Sequence, residues 1–216
     1  MSFATMLKEL LTGLATSFGI FALTLLFSLP LGLVVAFGRM SKNKIISAIT
    51  QVYISIMRGT PLMLQLLVVF YGPYYMFGIS LHPTYRFISV IIGFSLNYAA
   101  YFAEIYRGGI ESIPKGQYEA AQVLCYTKSQ CFGKIILPQV IKRITPAVTN
   151  EVITLIKDTS LAFTLSIPEM FTNAKAIAAA EKSMAAFVAA GIFYYIFNLV
   201  VATVMRKIEK SMEYYN

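Results

Sequence analysis

Leu10 to Gly38 is a run of 29 residues without a charged side chain. As a helix rising about 1.5 Å per residue, it outreaches the roughly 30 Å hydrocarbon core of a bilayer. A secretory signal has a shorter apolar core followed by a cleavage site. This run leads instead into Arg39, Lys42 and Lys44, so it reads as a retained span with a cytoplasmic stop. The whole chain of 216 residues agrees: 57% is hydrophobic, 13% is charged, and the mean hydropathy is +0.68. An ordinary soluble domain carries about a quarter charged residues. Such a balance argues against a soluble enzyme, a disordered chain or a nucleic-acid binder. The net charge of +8 then marks cytoplasmic loops and contact with anionic membrane lipid rather than nucleic acid. One His and two Cys argue against an all-protein zinc site and exclude a disulfide scaffold, so no metal site is assigned.

Four further apolar stretches follow. Ile45 to Tyr85 carries only Arg58 and His82, and Arg58-Gly59-Thr60-Pro61 interrupts it. Phe87 to Ala103 is uncharged; Thr145 to Pro168 holds Glu151, Lys157 and Asp158; Ser183 to Met205 is uncharged. The expectation is an all-α integral membrane protein of five transmembrane helices. With the N-terminus outside, 12 of 18 Lys and Arg fall on the cytoplasmic side, so the positive-inside rule gives N-out, C-in. Residues 1–216 read as one transmembrane domain, and its longest non-spanning piece lies at about 108–144 on the cytoplasmic side.

That piece reads as two short helices. Pro114 and Gly116 open the first, through Glu119-Ala120-Ala121 to Leu124. Thr127-Lys128-Ser129-Gln130 has capping-box spacing and starts the second. Phe132, Ile135 and Ile136 form its apolar stripe, and Pro138 ends or kinks it. A helical elbow of this kind either docks into a groove of another protein or merely links two spans.

Glu119-Ala120-Ala121 followed by Ile135-x-Leu137-Pro138 resembles the EAA loop of ABC importer permeases. Arg58-Gly59-Thr60-Pro61-Leu62 with Gln65, Ala100-Tyr101 with Glu104-Ile105-x-Arg107-Gly108-Gly109-Ile110, and Asn150-Glu151 with Lys157-Asp158-Thr159-Ser160-Leu161 resemble successive signatures of its polar amino acid branch. The resemblance covers roughly residues 10 to 210. It implies a type I ABC importer permease fold in the bacterial cytoplasmic (inner) membrane. It also implies a coupling helix seated in a cleft of an ATPase subunit, through Glu119, Ala120, Ala121, Cys125, Leu137 and Pro138. The implied partners are an ABC ATPase pair, a second permease copy or sister permease, and an extracellular amino-acid-binding protein. ATP and magnesium then belong to the ATPase, which drives alternating access; this chain carries no G-x-x-x-x-G-K-[ST] phosphate loop and needs no cofactor of its own. The family pattern has Gly where this chain has Cys125. Cys adopts φ > 0 poorly, so the turn is expected to be built differently.

Charges inside a membrane cost roughly 2.5–3.5 kcal/mol each on insertion scales, so each needs a reason. Thr60-Pro61 reads as an N-cap followed by Pro at the first helical position, breaking the second span so that a half-helix N-terminus faces an anionic group. The other reading is a mere kink, with Arg58 paired inside the protein. Glu151, beside Asn150, holds a substrate ammonium or cationic side chain, or pairs with a base such as Arg107. By depth, Asp158 is the expected partner of Arg58, and neighbouring Lys157 points elsewhere, in structural or gating work. Glu104 and Arg107 pair at i, i+3. Asn97 and Gln65 line a substrate route or hydrogen-bond between helices, the commoner use of polar groups there. An intramembrane enzyme is disfavoured: Asp158 is the chain's only Asp, and the only His, His82, is in an outer loop. The alternative is an ion channel or secondary transporter using Arg58, Glu151 and Asp158. Among importer substrates, Glu151 favours a cationic amino acid.

Overall fold

The computed structural model describes residues 2–212, and every regular element among them is helical. In chain order these are α1 (Phe3–Arg39), α2 (Lys44–Gly59), α3 (Leu62–Phe77), α4 (Tyr85–Glu111), α5 (Lys115–Val123), α6 (Lys128–Cys131), α7 (Leu137–Asp158), α8 (Met170–Glu181) and α9 (Ala185–Ser211). A π-helical turn, Phe132–Ile136, joins α6 to α7, and a 3-10 segment, Thr159–Leu165, follows α7.

Helix α4 is the central post, packed on α1, α3, α7 and α2, with its longest contact along α1. The sequence of α1 explains that contact. Gly13, Ser17, Thr24, Ser28, Gly32 and Ala36 recur on one face and are buried. Small residues at such spacing let two helices approach closely in a membrane, where packing replaces the hydrophobic drive. At Gly32 the approach is closest to α4: an added Cβ would lie 2.8 Å from the Phe102 Cβ. Gly13 meets the start of α8 in the same way, 2.7 Å from the Met170 Cα. Around this pair lies a core of Ile20, Phe21, Leu66, Phe94, Tyr98, Phe102, Leu155 and Ile156.

Three helices, α1, α4 and α9, are long and apolar enough to cross a membrane; α2 and α3 pass together, but bend by 113° at their junction. The uncharged run in α1 and the apolar run in α4 therefore fold as read. The second stretch is two helices, divided at the interruption read from the sequence, and the second of them stops before Gly78 in a left-handed C-cap (φ +66°) rather than at Tyr85. The fourth stretch is displaced. Its helix starts at Leu137 and ends at Asp158, short of Pro168, and carries too many charges to pass as a span on composition alone. The connection after it contains α8, for which the hydropathy pattern gave no sign.

The helical elbow forms with one change. Thr127 and Gln130 make both halves of the capping box, the Gln130 backbone N–H donating to the Thr127 Oγ1 at 3.3 Å and the Thr127 N–H to the Gln130 Oε1 at 3.0 Å. Phe132, Ile135 and Ile136 pack with Ile113, Ala121 and Val140. Pro138 does not end this helix. It sits at the first turn of α7, where it lacks only an N–H, and the wider π turn before it carries the chain through without interruption.

Candidate functional site

The break between α2 and α3 is held by amide side chains. Helix α2 ends at Gly59 and α3 begins at Leu62, leaving the last carbonyls of α2 without partners. The Gln65 Nε2 donates to the Met57 carbonyl (3.0 Å), the Thr60 carbonyl (3.1 Å) and the Thr60 Oγ1 (2.8 Å). Asn97 of α4 donates to the same Met57 carbonyl at 3.0 Å and to the Gln65 Oε1 at 2.9 Å. Both amides are thus satisfied by the helix end that they stabilise. Thr60 does not cap α3: its hydroxyl donates back to the Ile56 carbonyl at 2.8 Å, and Pro61 stands at the N-cap position. Ser, Thr and Asn side chains regularly choose such local acceptors over a cap.

Arg58, at the end of α2, turns to α4. Its guanidinium lies 5.3 Å above the Tyr101 ring and 4.0 Å from the Glu104 carboxylate. Glu104 is shared, because Arg107 reaches it at 2.6 Å and 3.2 Å while also holding Glu111 at 2.5 Å. The expected i, i+3 pair is therefore present and extended by one member. The expected Arg58–Asp158 pair is not: Asp158 accepts from the Tyr98 hydroxyl at 2.7 Å. Tyr98, buried in the core, already stands opposite the end of α7, whereas the 113° bend directs Arg58 along α4 towards Glu104. Nor does Glu151 pair with Arg107, whose donors go to Glu104 and Glu111. Among the described residues Glu151, half-buried on α7, makes no hydrogen bond or ion pair. Lys157 is exposed and points away from half-buried Asp158, as the 100° step of a helix requires. Asn150 is exposed.

Tyr98 and Tyr101 are the partners of Asp158 and Arg58 that charge reasoning missed. Their signal was present in the sequence: at i, i+3 and i+6, Tyr98, Tyr101 and Glu104 lie on successive turns of α4. A second omission is Glu169. It is completely buried at the N-cap of α8, accepting from the Phe171 N–H (2.7 Å), the Thr172 N–H (2.6 Å), the Thr172 hydroxyl (2.8 Å) and the Tyr194 hydroxyl (3.1 Å). Ser17 of α1 adds a longer contact at 3.4 Å. This carboxylate gathers α1, α8 and α9 at one point.

The elbow forms the second part of the site. Glu119 and Ala120 are exposed while Ala121 is buried against Cys131, so α5 presents one face outward and packs by the other. Beyond it, Val123 and Leu124 are 82% and 68% exposed, an unusual position for two aliphatic side chains on a surface otherwise rich in charge. Burial raises the Tyr118 phenol above its ordinary value, and Cys131 adds in the same direction. Cys125 takes φ +57°, so the turn keeps the left-handed geometry that Gly would adopt, and the expectation of a different turn is corrected. The helix C-terminus demands that conformation: the Cys125 and Tyr126 N–H groups close on the Gln122 and Ala121 carbonyls. Leu137 and Pro138 lie beside the elbow on the first turn of α7.

Comparison with known proteins agrees with this architecture. The L-cystine transport system permease protein TcyB of Bacillus subtilis (strain 168) is 37% identical over 195 residues, 89% of this chain and 82% of that relative. The arginine transport system permease protein ArtQ of the same organism is 33% identical over 205 residues, 94% of this chain and 92% of ArtQ. The crystal structure of an amino acid ABC transporter with histidines superposes with a TM-score of 0.86 at 28% identity, covering 98% of this chain and 99% of that one. The MetNI methionine ABC transporter in an inward-facing conformation shares the fold at 17% identity, with a TM-score of 0.70 and coverage of 98% and 99%. The fold is that of a type I ABC importer permease. Residues 28–214 match the model of the binding-protein-dependent transport system inner membrane components, and the chain belongs to that family.

Proposed function

We propose that this chain is the membrane-spanning subunit of an ATP-driven importer for polar amino acids, with cationic ones favoured. It crosses the bacterial inner membrane five times, N-terminus outside, and alternates between outward and inward access. It catalyses no reaction itself; ATP and magnesium bind to a partner ATPase pair. A second permease copy or sister permease completes the pathway, and an extracellular binding protein delivers the substrate. The observation that carries this reading is the elbow. A rigid, double-capped helical corner with Glu119 and two aliphatic side chains turned outward has the form of an element made to be covered.

The substrate route runs beside the α2–α3 break, between Glu151 of α7 and the Tyr101–Glu104 face of α4, and the Tyr98–Asp158 hydrogen bond closes one end of it. The half-buried carboxylate of Glu151, without a hydrogen-bond or ion-pair partner among the described residues, suits an ammonium or guanidinium group. Asn150, Thr60, Gln65 and Asn97 border that route; the last three also hold the break.

The test is Glu119→Lys. ATPase co-purification and uptake are expected to fall together. Retention of both in this variant would overturn the importer reading and favour a channel or secondary transporter. Specificity is tested separately by competition in Glu151→Gln: cationic amino acids should lose affinity, while an equal loss for neutral ones would remove Glu151 from side-chain recognition.

A further inference from the structure

A groove of about 810 Å³ opens where α7 leaves the elbow. Lys134, Pro138, Lys142 and Pro146 succeed one another at intervals of four, so one helix face alternates a base with a proline. Arg143 stands at its edge, and no acidic residue lines it among the described residues. Arg143 is already oriented: its Nη1 donates to the Ser112 carbonyl (2.5 Å) and hydroxyl (3.1 Å). Its Nε and Nη2 have no partner among the described residues, and neither has the exposed Lys134 ammonium. The opposite wall is Gln117 of α5, bridged to Gln139 at 3.4 Å.

We propose that this groove binds the phosphate headgroup of an anionic lipid of the cytoplasmic leaflet. Three features support a lipid over a phosphate from solution. The prolines give the floor an apolar lining. Ile141, 40% exposed, continues that lining along the adjoining face of α7. The bases end where the apolar stretch from Thr145 begins, which is the depth of a headgroup rather than of a hydrocarbon tail. A guanidinium held by one edge and offering the other is the geometry that takes a phosphate by paired hydrogen bonds. A groove touching both α5 and α7 would make the elbow's position sensitive to leaflet composition. The proposal rests on the N-out, C-in topology.

The test uses the importer complex, purified with its ATPase and placed in nanodiscs of phosphatidylcholine with or without phosphatidylglycerol, with bound lipid counted by native mass spectrometry. Phosphatidylglycerol retention is expected to fall about fivefold in Lys134→Gln and about 25-fold in Lys134→Gln with Arg143→Gln, at roughly a factor of five per base. Lys134→Arg, which keeps the charge, should retain it. Unchanged retention in the double variant overturns the proposal. So does equal displacement by inorganic phosphate, which would assign the groove to a soluble anion, or crosslinking of Lys134→Cys to the ATPase, which would make it part of that interface. Labelling of Lys134→Cys by an impermeant thiol reagent, in a Cys125→Gly background, separates the two readings. Reaction only from outside overturns the topology and the lipid site with it; reaction from the cytoplasm without lipid retention overturns the lipid site alone.

Discussion

Cys125 stands in the left-handed region at φ +57°, where a side chain with a Cβ costs roughly 1–2 kcal/mol. Gly removes that cost but gives back about 0.5–1 kcal/mol of chain entropy. Cys125→Gly is therefore expected to stabilise the chain by about 0.5 kcal/mol, and β-branched Cys125→Val to destabilise it, in thermal unfolding of the purified protein. Here the family resemblance indicated the geometry and the residue type indicated the wrong one; the C-terminus of α5 decides, because its carbonyls need those N–H groups. Glu169 shows the opposite difficulty. A glutamate between two apolar stretches looks like a solvated loop residue, and nothing local reveals that Tyr194 and Ser17 converge on it from α9 and α1. Glu169→Gln turns one acceptor into a donor facing backbone N–H groups. A loss of about 2–3 kcal/mol is expected, against about 1 kcal/mol for Tyr194→Phe, each from the shift in unfolding midpoint.

At the level of helices, close approach can be read from spacing but its partner cannot. The recurrence of small residues along α1 marks a packing face; only the fold shows that α4 occupies it. Gly32→Leu is expected to abolish folded, extractable protein. Gly19→Leu should be tolerated, because nothing lies within 4 Å of a Cβ there; size-exclusion profiles after solubilisation will distinguish them. The interruption at Arg58-Gly59-Thr60-Pro61 was legible because Pro and Gly interrupt an apolar stretch too long for one helix. Its 113° angle was not, since that depends on Asn97, far away in sequence, sharing the Met57 carbonyl with Gln65. Both amides grip one helix end, so Gln65→Leu and Asn97→Leu should be non-additive. A double-mutant cycle on unfolding free energy is expected to return a coupling of about 1–2 kcal/mol.

Over the whole molecule, α4 joins the α2–α3 break to the elbow through charge. Arg58, Glu104, Arg107 and Glu111 run down it in contact, and Ser112 at its end receives Arg143 from α7. Glu104→Gln leaves the elbow intact, so ATPase co-purification should be unchanged while uptake falls about fivefold, as expected from losing roughly 1 kcal/mol of ion pairing. Charge and length indicated an all-helical chain with several apolar spans. They misplaced the fourth apolar stretch, because its helix begins in a basic, proline-bearing segment that hydropathy counts as loop.

That displacement has a mechanical meaning. From Lys128 to Asp158 the backbone is helical throughout, about 45 Å from end to end at the usual rise. The elbow and the carboxylate that meets Tyr98 are therefore two ends of one rod. A displacement of the elbow would need no relay of switching side chains to reach Asp158, because tilting the rod moves both of its ends. Within α7 the rod has a joint at Pro146, which lacks the N–H that would tie it to the turn before, and a stroke too large for a straight rod can be absorbed there.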